Sequence, residues 1–196
     1  MKKRKTMIMS LAAASILACL ASACGSGTQE NARPEPVSPS QETEASGELT
    51  PFTPPVSFEA VNTAGETVSS DIFADSRLTM VNVWATYCNP CLVEMPYLGE
   101  LASEYSSEDF QIIGIVSDVL EGDEAALDTV LSLIEETGAD YTHLLLNESL
   151  YTSMLTDVTA VPTTFFVDSD GQILDTVIGA MEKDAWKEVI DAYLEE

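Results

Sequence analysis

The 196-residue sequence predicts an α/β domain, a central mixed β-sheet flanked by helices, and three observations carry that expectation. Apolar, β-branched runs alternate with segments of helical periodicity through the middle of the chain. Near the end, two strand-like runs flank Asp170-Gly171, a hairpin signal that adds antiparallel strands to the sheet. A last amphipathic segment, residues 184–194, then supplies a terminal helix.

Taken in order, residues 58–61 alternate like a half-buried strand, and Ala64-Gly65 marks a turn before Val68. This predicts an N-terminal strand or hairpin extension. Residues 78–84 read Leu-Thr-Met-Val-Asn-Val-Trp, the pattern of a buried central strand. A helix is expected to start at Cys88 and Cys91 and to continue through Leu92, Met95, Leu98 and Leu101, with Pro96 as a kink. Residues 111–116 form a second buried strand. Leu127, Val130, Leu131 and Ile134 lie at helical spacing within residues 124–137, and Gly138 stops that helix. Residues 142–146 are a third strand, and 150–155 a short helical connection. The hairpin strands are residues 163–167 and 173–177.

The N-terminal quarter has a different character. Lys2, Lys3, Arg4 and Lys5 precede an apolar stretch over residues 7–23 that ends Ala21-Ser22-Ala23 before Cys24. The segment resembles a bacterial lipoprotein signal, which implies residues 1–23 as signal peptide and Cys24 as the lipidated first residue. Ala21 stands where that pattern prefers leucine. Cys19 is a rival lipid site, and an uncleaved anchor or plain secretory signal is a rival reading. All of them place the domain outside the cytoplasm, at the extracytoplasmic face of the membrane in the lipid-anchored case. Residues 24–51 carry Pro34, Pro36, Pro39 and Pro51, several glutamates and serines, and no aromatic residue. Such a composition buries too little apolar area to offset its ordering entropy, so it reads as a tether of roughly 30 Å. The predicted globular domain is residues 52–196.

Composition narrows the partners. The net charge is −25, and removal of the signal leaves Arg33, Arg77, Lys183 and Lys187 against 33 acidic groups. No basic patch exists to hold nucleic acid, so no nucleic-acid partner is expected. A monomer is expected.

Chemistry concentrates in two cysteines. With Cys19 and Cys24 in the export segment, Cys88 and Cys91 are the thiols left to the domain. Cys88-Asn89-Pro90-Cys91 stands between a buried strand and a helix, and positions three apart on a helix share a face, so the sulfurs can meet. Pro90 suits the first helical turn. Cys88 lies at the positive end of the helix dipole, which should draw its pKa below the ordinary value of about 8.5. Cys91, one turn inside, is the more buried, resolving thiol. A zinc site takes about four ligands, and one CxxC plus a single histidine, His143, does not supply them, so no metal is expected. His143, in a strand and without a visible partner, reads as structural, and Trp84 as packing beneath the pair. A peroxidase reading fails because no proline and threonine are suitably spaced before Cys88.

At these residues the sequence resembles a known family. Trp84-Ala85-Thr86-Tyr87-Cys88-Asn89-Pro90-Cys91 is similar to a thioredoxin active site. Val81-Asn82-Val83-Trp84-Ala85-Thr86, Glu94-Met95-Pro96, Val161-Pro162-Thr163-Thr164-Phe165 and Asp168-Ser169-Asp170-Gly171 resemble the extracytoplasmic TlpA/ResA-type branch over about residues 52–196. The resemblance implies a thioredoxin fold and reversible dithiol–disulfide exchange without a bound cofactor. It further implies that the loop Val161-Pro162 is a cis-proline loop facing the pair and binding substrate; read alone, Pro162 is an ordinary loop proline. Glu94, which alone reads more often as a solvated helix residue, matches an acidic residue that in this branch manages the proton of the second cysteine, here Cys91, and the match makes the two readings even. Asn82 stands where cytoplasmic thioredoxins carry an aspartate, which removes that acid and shifts attention to Glu94. Tyr87 replaces the usual tryptophan beside the first cysteine, so Tyr87, Asn89, Pro90 and Val161 are the candidate substrate-contact residues.

The expected function is reduction of disulfides in exported proteins, of which apocytochrome c and oxidised repair enzymes are kinds the resemblance implies. A membrane thiol reductase would supply electrons. A disulfide-forming oxidase of the same fold and a non-catalytic binding lipoprotein are the alternatives.

Overall fold

The computed structural model describes residues 54–195. The expected signal peptide, the expected lipid site Cys24 and the expected tether lie outside the described residues. A short antiparallel pair, β1 (Glu59–Val61) and β2 (Thr67–Ser69), leads into a 3₁₀ turn over Ser70–Asp75. Then follow β3 (Leu78–Trp84), α1 (Asn89–Glu104), β4 (Phe110–Leu120), α2 (Glu124–Thr137) and β5 (Thr142–Leu146). A short helix α3 (Glu148–Leu150) runs on into a π-type turn over Tyr151–Leu155. The hairpin strands β6 (Thr163–Asp168) and β7 (Ile173–Ile178) and the helix α4 (Lys183–Leu194) complete the domain.

The main sheet has the order β5-β4-β3-β6-β7. β3, β4 and β5 are parallel, and β6 and β7 antiparallel, so the sheet is mixed as expected. β3 is central, and all seven of its residues are buried. Its pleat divides the core between two faces. Val81 and Val83 join Phe58, Phe73, Leu144 and Leu150 on the face covered by the N-terminal strands and the α3 segment. Leu78, Met80 and Trp84 point the other way, toward α1, α2 and α4. The two consecutive parallel crossovers through α1 and α2 place both helices on that one face.

Local signals account for the helix ends. Asp123 caps α2 by accepting from the Ala126 amide, and Gly138 ends it in the left-handed region at φ 65°. Gly99 lets α1 pass the end of α2, since a Cβ there would stand 2.2 Å from the Gly138 carbonyl oxygen. β4 is longer than expected, reaching Leu120 rather than Val116. Beyond Val116 its register with β5 shifts and Ser117 and Asp118 leave the core, so the apolar run stops before the strand does.

Candidate active site

Cys88 ends the turn after β3 and is the N-cap of α1. Its Sγ accepts the Cys91 amide at 3.3 Å, a contact normally made by a serine or aspartate oxygen at this position. Pro90 stands in the first turn of α1, where its missing N–H costs no helical bond. Cys88 and Cys91 are joined by a disulfide with their Cα atoms 5.3 Å apart. Both cysteines are buried, Cys88 at 5% exposure and Cys91 completely, so Cys88 is the less enclosed of the two. The turn ahead of the pair is held by Asp118, whose carboxylate accepts the Thr86 amide at 3.0 Å and the Thr86 hydroxyl at 2.5 Å. Asn89, Pro90 and Tyr87 are exposed, Tyr87 to 75%.

The Val161–Pro162 peptide bond is cis. Val161 packs against the apolar cluster that contains Cys88, Cys91 and Trp84. Beside it opens a cavity of about 230 Å³ lined by Tyr87, Tyr151, Leu155, Val158 and Val161 among others. The fold therefore gathers Tyr87, Cys88, Cys91 and Val161 from segments some seventy residues apart in sequence.

Glu94 is buried, 1% exposed, and not a solvated helix residue. Its Oε1 accepts the Asn82 side-chain amide at 3.0 Å, and its Oε2 accepts the Met181 amide at 2.9 Å and the Trp186 indole N–H at 3.0 Å. Burial pushes the Glu94 carboxyl above the usual carboxylate range, and the donors from Met181, Trp186 and Asn82 pull it partly back. Asn82 also donates to the Thr164 hydroxyl at 3.2 Å. Its Oδ1 and the Tyr141 hydroxyl are buried without a hydrogen-bond partner.

His143 corrects the expectation that it has no partner. Its Nδ1 accepts the Trp84 indole N–H at 3.1 Å, which leaves the proton on Nε2 to donate to the Ala139 carbonyl at 2.9 Å. Burial lowers its pKa to about 4, against smaller upward effects of the Ala139 bond and Asp140, so the ring is neutral near pH 7. Sequence reasoning also missed Trp186. The signal was present, because a buried indole N–H requires an acceptor, but its partner lies 92 residues away.

The Redoxin family profile matches residues 46–194. The thiol-disulfide oxidoreductase ResA of Oceanobacillus iheyensis is 30% identical over 110 residues, 56% of this chain and 54% of that protein. The thiol:disulfide interchange protein HelX of Rhodobacter capsulatus is 28% identical over 141 residues, 72% of this chain and 74% of that protein. This chain thus spans little more than half the length of the ResA relative. Among solved structures, a thiol:disulfide interchange protein of the thioredoxin family from Chlorobium tepidum superposes with a TM-score of 0.61 at 25% identity, over 72% of this chain and 96% of that one. StoA from Bacillus subtilis shares the fold, with a TM-score of 0.54 at 23% identity over 68% of this chain and 96% of that one. The fold is that of thioredoxin, with the β1–β2 pair as an N-terminal extension.

Proposed function

The chain belongs to the Redoxin family, and from that premise we propose that it is a thiol–disulfide oxidoreductase, tethered at the extracytoplasmic face of a bacterial membrane, that reduces disulfides in exported proteins. The observation that carries this reading is the pair itself: Cys88 caps α1 at the rim of the domain while Cys91 lies beneath it, fully enclosed. The names of the ResA and HelX relatives point the same way.

In the reduced protein the Cys88 thiolate attacks one sulfur of a client disulfide, and the client's other sulfur leaves as thiolate. Cys91 then loses its proton and attacks the Cys88 sulfur. The Cys88–Cys91 bond forms, the client is released with both sulfurs reduced, and the protein carries away the disulfide. The helix N-terminus and the Cys91 amide favour charge on the Cys88 sulfur. Glu94, buried one helical turn beyond Cys91, is the acceptor for the second proton. Val161 and Pro162 border the path of the client backbone, with Tyr87, Asn89 and Pro90 on the approachable side. A membrane thiol reductase restores the dithiol, and the lipid on Cys24 keeps the domain within its reach. No described helix is long and apolar enough to cross a membrane.

Cysteine variants test the proposal. Cys88→Ala should abolish exchange. Cys91→Ala should still attack and accumulate mixed disulfides, and mass spectrometry of those adducts identifies the clients. Equal inactivity of both variants with no adduct would falsify the order of attack. The potential of the couple fixes its direction: a value near thioredoxin's, about −270 mV, belongs to a reductase, and one near about −120 mV to an oxidase.

A further inference from the structure

One donor to Glu94 is delivered from a helix near the C-terminal end of the chain. Trp186, on α4, is fully buried and packs on Phe166 with ring centroids 6.1 Å apart. Any large apolar residue could fill that space among Met80, Leu98 and Ile190. The indole N–H sets it apart, because it is spent on Glu94 Oε2 at 3.0 Å, the oxygen that also accepts the Met181 amide. With Asn82 on the other oxygen, three donors from two sides fix the carboxylate.

Among the described residues no cation shares this task. Lys183, two residues beyond Met181, is engaged by Glu100 and Glu104. The groups around Glu94 are the Asn82 amide from β3, which also bonds Thr164 of β6, the Met181 amide and Trp186 from the α4 side, and Tyr141 ahead of β5. Tyr141 is a buried phenol held far above its usual range by burial and, secondarily, by the Glu94 charge. Cys91 precedes Glu94 by one turn of α1. Hydrogen bonds from neutral donors are therefore what favour the ionised carboxylate against burial.

We infer that Trp186 is a positioning residue of the dithiol chemistry: its indole N–H aims the Glu94 carboxylate and holds it in the proton-accepting form, so docking of α4 governs how fast Cys91 closes the disulfide. The inference rests on the reading of Glu94 as acceptor of the Cys91 proton. In that step the Cys91 proton passes to Glu94 and the Cys91 thiolate attacks the Cys88 sulfur. The bond from Cys88 to the client breaks, and its electron pair leaves with the client thiolate.

The test uses the reduced full chain and dithiobisnitrobenzoate, an aromatic disulfide with a coloured leaving thiolate. Attack by Cys88 releases one coloured thiolate and resolution by Cys91 the second. Trp186→Phe should leave the first phase unchanged. It should slow the second about tenfold on the acidic side of its pH profile, with rates converging at alkaline pH, because Glu94 deprotonates at higher pH once the donor is lost. A packing role alone would lower stability without moving that profile. In the wild-type protein the Trp186 indole N–H resonance should move with pH in step with the second phase, a measurement that stands if the variant does not fold. Glu94→Gln separates the two ideas. If it resolves at the wild-type rate, the proton-acceptor reading falls and the role of Trp186 with it. If it is slow while the Trp186 resonance is flat, or while Trp186→Phe keeps the wild-type profile, Glu94 stands and the inference about Trp186 is overturned.

Discussion

Trp84, the last residue of β3, donates its indole N–H to Nδ1 of His143 across an intervening strand. The strand between them is β4, and the sheet places His143, Gly114 and Asn82 in one row. Gly114 has no side chain there, so the imidazole lies over its backbone and reaches the tryptophan under the redox pair.

That clearance sets the first expected outcome. A Cβ on Gly114 would stand 2.1 Å from His143 Nδ1, and the enclosed ring has no room to withdraw. Gly114→Ala should cost about 1–3 kcal/mol, the usual range for overpacking, or more. Chemical denaturation measures the loss, and the Trp84 indole resonance should shift as its acceptor is displaced. An unchanged midpoint with an unchanged Trp84 signal would contradict the packing described.

His143 is the single histidine of the chain, so its titration can be followed without assignment ambiguity. Its pKa is depressed to about 4 in the folded protein, from a reference of 6.5, chiefly by burial. A group depressed on folding contributes stability above its unfolded pKa, and that contribution is lost as pH falls through the folded value. The loss should run from about pH 6.5 down to pH 4 and amount to about 3 kcal/mol. NMR should show a neutral ring protonated on Nε2 throughout the neutral range.

Glu94 acts on stability with the opposite sign. Its pKa is raised by burial, so its contribution is fully present below the unfolded carboxylate value and declines as pH rises through the folded one. Unfolding free energies of wild type and Glu94→Gln, compared from about pH 4 to pH 8, should move progressively in favour of the variant. A constant difference across that interval would mean that the carboxyl ionises as freely in the fold as in the unfolded chain.

Asn82→Asp would set a second carboxylate against Glu94, since the Asn82 amide nitrogen is 3.0 Å from Glu94 Oε1. Two buried carboxylates at that distance share one proton. The variant should lose about 3 kcal/mol or more near neutral pH, with the loss largely recovered on acidification. Thermal denaturation at two pH values is enough to see it.

What could be read from the sequence was local or periodic. The bounds of β3 and β5 follow from their largely apolar, β-branched runs, and those of α2 from helical spacing and the Gly138 stop, while its Asp123 cap shows only in the fold. The CxxC placement at the start of α1 follows from Pro90 and the strand before it. What could not be read depends on register and on distant segments. The state of Glu94 is settled by Met181 and Trp186, 87 and 92 residues away. The partner of His143 emerges only once β5, β4 and β3 are aligned residue by residue. The π-type turn after α3 carries no pattern distinct from an ordinary helical turn.

The placement of the few cations has a further consequence. Arg77 meets Asp109 and the Leu194 carbonyl, while Lys183 and Lys187 meet Glu100, Glu104 and Asp191. These are the three Lys and Arg side chains among the described residues. By helical rise, Glu100 and Glu104 lie roughly 17 to 22 Å along α1 from its start. At the Cys88 end, Asp118, Glu121 and Asp123 face no such compensation. The negative field around the reactive sulfur is thus not offset by any neighbouring Lys or Arg among the described residues. In dilute buffer that field turns an approaching positively charged disulfide toward Cys88 and slows an anionic one. At physiological ionic strength, with a screening length of about 8 Å, most of the distinction fades beyond the last few ångströms of approach.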